Sequence, residues 1–171
     1  MTHPNKAAPN RAAEAAAAHG VHSLSPHLVC RDALKAIEFY KKALGAKELM
    51  VLPGPDGKIM HACLSINGSS VMLVDEMIGC GAASPLHLGG TPVTLHLIVD
   101  DADATAAQAV AAGAKVIMPV AEQFWGDRYG IVEDPFGHRW SIATPGENAP
   151  RSVEELQAAA KKAFAEMGQG A

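Results

Sequence analysis

The chain has 171 residues, of which 49% are hydrophobic and 19% are charged, and its formal net charge is -4. This length suits one domain with short tails, and the weak negative charge excludes the basic surface that binds nucleic acid. The longest apolar runs are strand-length, far short of the roughly 20 residues that span a bilayer, so no membrane partner is expected.

The N-terminal part of the chain predicts an arm, a strand and a helix. Residues 1–22 are rich in Ala, Pro and Asn, which is typical of a disordered arm or a marginal helix. A strand-like run at 25–31 follows, and Asp32 is a candidate N-cap. Gly45 suits the position that ends a helix. Apolar residues at helical spacing lie between them: Ala33, Ile37, Tyr40 and Leu44.

Three more strand-like runs complete a first β-α-β-β-β unit, which we place at residues 23–75. They lie at 47–52, 58–66 and 70–75. The dipeptide Asn67-Gly68 separates the last two runs and is a strong hairpin signal.

The second half of the chain repeats this pattern after a linker at 76–91. Corresponding points are offset by 68 or 69 residues: His27 and His96, Asp32 and Asp101, Gly45 and Gly113, Gly57 and Gly126, and Gly68 and Gly137. Such a fixed offset indicates a duplicated structural unit. We therefore expect an α+β fold over residues 23–145, with the second unit at 92–145 and both units facing a shared cup.

The tail at 146–171 predicts a short helix. Ser152 and Glu155 have the spacing of a capping box. Leu156, Ala160 and Phe164 then form an apolar face that would pack on the domain or on a partner subunit.

The three cysteines, Cys30, Cys63 and Cys80, form no Cys-x-x-Cys pair. An odd number without such spacing is typical of a reduced protein in which cysteine acts as a small buried hydrophobe. The alanine-rich N-terminus lacks the continuous apolar core of a signal peptide. We therefore expect a cytoplasmic protein.

The tandem units and the sequence Asp-Pro-Phe-Gly-His at 134–138 resemble the vicinal-oxygen-chelate superfamily. This superfamily includes glyoxalase I, extradiol dioxygenases, methylmalonyl-CoA epimerase and bleomycin-resistance proteins. The run at 123–130 is similar to the glyoxalase-like branch grouped with the phosphonate-operon B protein. The resemblance covers residues 24–144 and implies a cupped mixed sheet and a homodimer.

The resemblance also implies where a metal would bind. Metal-binding members place ligands on the first and last strand of each unit, and counting along this chain gives Ser25, Met72, Thr94 and Ser141. Neutral hydroxyls and a thioether are poor ligands for a divalent metal, whose catalytic sites use His or carboxylate. The inherited metal site therefore looks absent, and no cofactor is expected.

Three histidines offer an alternative site. His27 and His96 lie two residues beyond Ser25 and Thr94, and residues i and i+2 of a strand share a face. His61 is in phase with the same inner side. If the three imidazoles converge, they could bind Zn, Ni, Fe or Mn; otherwise they are polar lining for an organic ligand.

The run at 124–129 is the most conspicuous aromatic segment of the chain. Trp125 and Tyr129 offer flat apolar area with a polar edge, and the Arg128 guanidinium suits a carboxylate or phosphate. The segment is either a wall of a ligand site or a structural plug in which Asp127 and Arg128 pair locally.

Other polar residues near the last hairpin are expected to be structural. Asp134-Pro135 predicts a turn, His138 a hairpin residue bonded to backbone, and Trp140 a core residue.

We therefore expect a glyoxalase/bleomycin-resistance-like protein that binds a small aromatic or anionic ligand. The candidate ligand-binding residues are His27, His61, His96, Trp125, Arg128 and Tyr129. One alternative is a metal-dependent lyase (like lactoylglutathione lyase), isomerase or dioxygenase that uses the three histidines. Another is a metal-free enzyme with His27 or His96 as its base.

Overall fold

The computed structural model describes residues 11–147 and 152–167, so predictions for the ends of the two tails and for 148–151 lie outside it. The elements in chain order are α1 Arg11–Ala17, β1 His27–Cys30, α2 Ala33–Leu44, β2 Lys47–Pro53, β3 Ile59–Ile66, β4 Ser69–Asp75, a 3-10 helix Ile78–Cys80, α3 Pro85–Leu88, β5 Thr94–Ile98, α4 Ala102–Ala111, β6 Lys115–Glu122, β7 Arg128–Glu133, β8 Arg139–Thr144 and α5 Val153–Met167.

The residues predicted to begin and end the helix of the first unit, and to form its last turn, do so in the structure. The Asp32 side chain caps α2 by accepting a hydrogen bond from Lys35 N at 3.0 Å. Gly45 ends the helix with a φ of 64°, a left-handed conformation that glycine adopts without steric cost. Asn67 and Gly68, with φ of 45° and 82°, form the tight turn between β3 and β4.

Two mixed four-stranded sheets result, with the orders β1-β4-β3-β2 and β5-β8-β7-β6. In each sheet the first strand pairs parallel with the last, and the remaining pairs are antiparallel. The equal topology of the two sheets confirms the α+β fold built from a duplicated unit.

The helices α2 and α4 cover one face of the two sheets. Ala62, Leu64 and Ile66 of β3 are buried, as the strand phase predicts, and they belong to one core shared by both units. The first N–H of α2 and of α4 is satisfied from the last strand of its own unit. Asp75 accepts from Ala33 N at 2.8 Å, and Thr144, 69 residues later, accepts from the start of α4 at 2.8 Å.

A buried carboxylate fastens the second unit to the first. Asp134 is 4% exposed, and its Oδ2 accepts from Tyr40 Oη at 2.7 Å and from Trp140 Nε1 at 3.0 Å. Its Oδ1 accepts the backbone N–H groups of Phe136 and His138, both at 2.9 Å. Because all these donors belong to the turn or the core, Asp134 has the structural role predicted for it.

The last hairpin of each unit also touches the first strand of the other. His138 Nε2 donates to Val29 O at 3.2 Å, and Asn67 Nδ2 donates to Ile98 O at 2.5 Å. Val29 and Ile98 are equivalent positions in the repeat, so the two contacts are related by its approximate symmetry.

The tails add two helices. α1 lies within the predicted N-terminal arm. α5 begins as its capping spacing predicts, since Ser152 Oγ accepts from Glu155 N at 3.1 Å. Among the described helices, none combines the length and the apolar character needed to cross a membrane.

Candidate functional site

Each sheet has a face opposite α2 and α4, which we call its open face. Cross-strand pairing places His27, Met72 and Cys63 on the open face of the first sheet, and His61 lies two residues from Cys63. The equivalent positions of the second sheet hold different chemistry: His96, Ser141, Ile131 and Tyr129.

Two imidazoles meet on the open face of the first sheet. The ring centroids of His27 and His61 are 5.8 Å apart in an edge-to-face arrangement. Partial burial, and then the charge of His61, lower the pKa of His27. His27 is therefore neutral at pH 7 and has a ring nitrogen free to accept a proton or a metal.

Rings on and beside the open face of the second sheet form a continuous set, which we call the aromatic series. His96 stacks on Tyr129 with centroids 6.1 Å apart, and Tyr129 meets Trp125 at 5.5 Å. Trp125 meets Phe124 at 4.9 Å, and Phe124 contacts Phe164 of α5 at 5.9 Å. The aromatic rings of the run at 124–129 are therefore in contact with one another, and Phe164 of the C-terminal helix extends the set.

A hydrogen bond to Ser141 orients the ring of His96. Nδ1 lies 2.9 Å from Ser141 Oγ. Among the described residues, Nε2 has no hydrogen-bond partner and is open to a ligand. His96 is thus a positioned hydrogen-bonding group or base.

The strand register shows which residues lie directly beside Met72 and Ser141. Met72 pairs with His27, and Ser141 pairs with His96. Ser25 precedes β1, and Thr94 pairs with Arg139. The direct neighbours of Met72 and Ser141 are therefore the two histidines.

The structure brings together two of the three candidate histidines. His96 lies on the other sheet, where Tyr129 is its ring neighbour. Within residues 11–147 and 152–167, no group of three or more His, Cys, Asp or Glu side chains could hold a metal ion. A three-histidine site is therefore not assembled within the described part of one chain.

Arg128 lies apart from the other candidate residues. Its guanidinium makes a bidentate ion pair with Asp103 of α4, with Nε–Oδ2 and Nη2–Oδ1 distances of 2.6 and 2.7 Å. These hydrogen bonds lower the pKa of Asp103. The side chain points to the helix side of the sheet, opposite Tyr129, and the local Asp127–Arg128 pair is wrong, because the strand alternation directs Arg128 to α4.

Sequence reasoning missed His22, which lies in the segment assigned to the arm. Its backbone N donates to Ser70 Oγ at 2.8 Å, and its Nδ1 accepts from Ser70 N at 3.2 Å. Ser25 Oγ lies 2.5 Å from Ser70 Oγ and holds the same segment. No local pattern signals this contact, because it depends on a residue 48 positions away.

Comparisons with known proteins agree with this architecture. The sequence model of the family described as "Glyoxalase/Bleomycin resistance protein/Dioxygenase superfamily" matches residues 11–142. The uncharacterized protein Rv0887c of Mycobacterium tuberculosis is 53% identical over 140 residues, covering 80% of this chain and 81% of its own.

Solved structures share this fold. TioX from Micromonospora sp. ML1 superposes with a TM-score of 0.58 at 28% identity, covering 71% of this chain and 96% of its own. The product of Arabidopsis thaliana At5g48480 superposes with a TM-score of 0.56 at 31% identity, covering 71% of this chain and 97% of its own.

Proposed function

The chain belongs to the glyoxalase/bleomycin resistance protein/dioxygenase superfamily, and from that premise we propose that it binds a small, partly aromatic molecule without a metal. The ligand lies on the open face of the second sheet, against the aromatic series. The observation that carries this proposal is the unbroken contact from His96 through Tyr129 and Trp125 to Phe124.

The distribution of aromatic residues supports the proposal. The chain has four Phe, two Trp and two Tyr. Four of these eight form a buried cluster in the core: Phe39, Tyr40, Phe136 and Trp140. The other four belong to the aromatic series and are only half-buried or exposed. Aromatic area left at a surface is typical of a ligand or partner site.

The polar groups at this site favour an uncharged ligand over an anionic one. Arg128 is engaged by Asp103 on the other side of the sheet, and His96 offers Nε2, because Nδ1 is bonded to Ser141 Oγ. A ligand hydroxyl, which can donate or accept, would bond to that nitrogen while the ligand ring packs on Trp125 and Tyr129. This arrangement can bind and orient a molecule without a covalent step.

The test uses the full chain and the neutral probe N-phenyl-1-naphthylamine. The Trp125→Ala and Tyr129→Ala variants should each weaken binding about tenfold, because each loses a packing surface and a ring contact. His61→Ala, on the first sheet, is the matched control and should bind as the unmodified chain does. Equal affinity in all four proteins would exclude the aromatic series as the binding site.

A second candidate is a metal-dependent lyase, isomerase or dioxygenase, and the His27–His61 pair favours it. The two imidazoles would supply two ligands for Zn, Ni, Fe or Mn, and His96 of a second copy would complete the predicted set. His61→Ala should then remove both the metal and the turnover. Metal content that is independent of His61 would exclude this site.

A metal-free acid/base enzyme is the third candidate, and the Ser141–His96 hydrogen bond favours His96 as its base. Its rate would depend on pH near neutrality and would be lost in His96→Ala. A rate without such a pH limb would count against it.

We also expect a homodimer. Met50 and Leu52 continue the open face of the first sheet and are 48% and 50% exposed. Apolar side chains side by side on an uncovered sheet favour association with a second copy. Light scattering that shows a monomer at micromolar concentration would refute this expectation.

A further inference from the structure

A second concave site lies beside the aromatic series, at the seam between the two sheets. It is a cavity of about 260 Å³, bounded by the segment before β1, the start of β4, and β5. Its polar lining includes His22, Ser70 and His96, and its apolar lining includes Leu24, Ile66 and Trp140. Among the described residues that line it, none is Asp, Glu, Lys or Arg.

The segment before β1 positions His22 as a hydrogen-bond donor at this cavity. Ser70 is 1% exposed, and its backbone N–H points at His22 Nδ1 over 3.2 Å. A backbone N–H can only donate, so Nδ1 accepts and the ring proton of neutral His22 lies on Nε2. Within the described residues, Nε2–H has no partner and is free for a ligand.

His96 presents a second ring nitrogen at the cavity. Its Nδ1 lies 2.9 Å from Ser141 Oγ, and within the described residues its Nε2 has no hydrogen-bond partner. A neutral imidazole nitrogen either donates or accepts, according to its tautomer. One cavity is thus lined by an imidazole that donates and by a second imidazole that takes either role, on a largely apolar wall.

From this arrangement we infer that the seam cavity binds an uncharged aromatic molecule that carries both an acceptor and a donor, as a carboxamide does. A cavity of about 150 Å³ holds benzene, so about 260 Å³ has room for a ring and one small polar substituent. A charged group would meet no opposite charge there, because none of the described lining residues is Asp, Glu, Lys or Arg. The inference rests on the proposed function through His96 alone, and it adds His22 to the binding residues.

The experiment measures binding of three probes of one shape to the full chain by nuclear magnetic resonance titration: benzamide, benzoate and ethylbenzene. We expect benzamide to bind most tightly and benzoate to bind at least about tenfold more weakly. The His22→Asn and His96→Ala variants should each weaken benzamide binding about 3- to 10-fold, since each loses one neutral hydrogen bond. Their affinity for ethylbenzene should change little.

His22→Asn is chosen because the Asn side-chain oxygen can replace Nδ1 as the acceptor for Ser70 N. The shorter side chain has no group at the position of Nε2, so the bond to the ligand is lost. The segment before β1 then stays in place, and an unchanged thermal transition would verify this. His87→Ala is the matched control, because this exposed histidine of α3 does not line the cavity, and the variant should bind benzamide normally.

Three outcomes would overturn the inference: equal affinity for the three probes, tighter binding of benzoate than of benzamide, or normal benzamide binding by His22→Asn. Trp125→Ala separates the two proposals, because Trp125 does not line the cavity. If only the seam cavity binds, this variant retains benzamide and the naphthylamine result fails. If only the aromatic series binds, benzamide shows none of the dependence on His22.

Discussion

Replacement of Asp134 by Ala tests how the two units are held together. The carboxylate accepts four hydrogen bonds, from Tyr40 Oη, Trp140 Nε1 and two backbone N–H groups, and it is 4% exposed. Hydrogen bonds to a charged group contribute about 1.5–3 kcal/mol each, but they are not additive within one network. Because the substitution also leaves buried donors without a partner, we expect it to lower the free energy of unfolding by about 4 kcal/mol.

The matched control is Tyr40→Phe, which removes one of the four donors and keeps the ring. It should cost about 1–2 kcal/mol. Urea unfolding followed by circular dichroism measures both values, and the slope of free energy against urea checks that unfolding stays two-state. A loss below about 1 kcal/mol for Asp134→Ala would refute the reasoning, because an exposed carboxylate typically has an effect of that size. A loss of the same size in both variants would show that the Tyr40 hydrogen bond alone carries the contact.

Three further predictions concern the rest of the chain. Phe164→Ala removes the ring that contacts Phe124, the neighbour of Trp125, and should shift tryptophan fluorescence to longer wavelength, whereas an unchanged spectrum would show that α5 does not pack on the aromatic series in solution. Burial raises the pKa of Tyr40 well above its usual 10.0; the folded state then holds this proton more tightly than the unfolded state, so stability is fully present below pH 10 and falls as pH rises above it. Urea unfolding at pH 9, 10 and 11 checks this, and an unchanged slope in Tyr40→Phe would assign the loss to another group. Arg128→Ala breaks an exposed ion pair with Asp103 and should leave both the stability and probe binding nearly unchanged; weaker probe binding would show that Arg128 contacts the ligand.

The repeat made most of the fold predictable from the sequence. Asp32, Gly45 and Asn67-Gly68 act through local backbone preferences, and each is found where its local signal places it. Strand phase likewise placed His61 opposite the buried side chains, because alternation along a strand depends only on the chain itself.

The parts of the site that depend on distant contacts were not predictable. The partner of Arg128 lies 25 residues away on α4, and the partner of His22 lies 48 residues away on β4. The cross-strand neighbours of Met72 and Ser141 follow from the register of parallel strands, which spacing along one strand does not determine.

The tautomer of His22 also could not be predicted from the sequence. It is set by a hydrogen bond from Ser70 N of β4. No sequence pattern specifies such a bond, because it exists only once β4 and the segment before β1 are in place.

The central claim is that binding at the aromatic series needs no metal. The most direct test is the dissociation constant of N-phenyl-1-naphthylamine for the full chain before and after exhaustive treatment with a chelator, with elemental analysis of both samples. We expect the same dissociation constant before and after chelation. Loss of binding on chelation, restored by one equivalent of a divalent metal and abolished in His61→Ala, would contradict it.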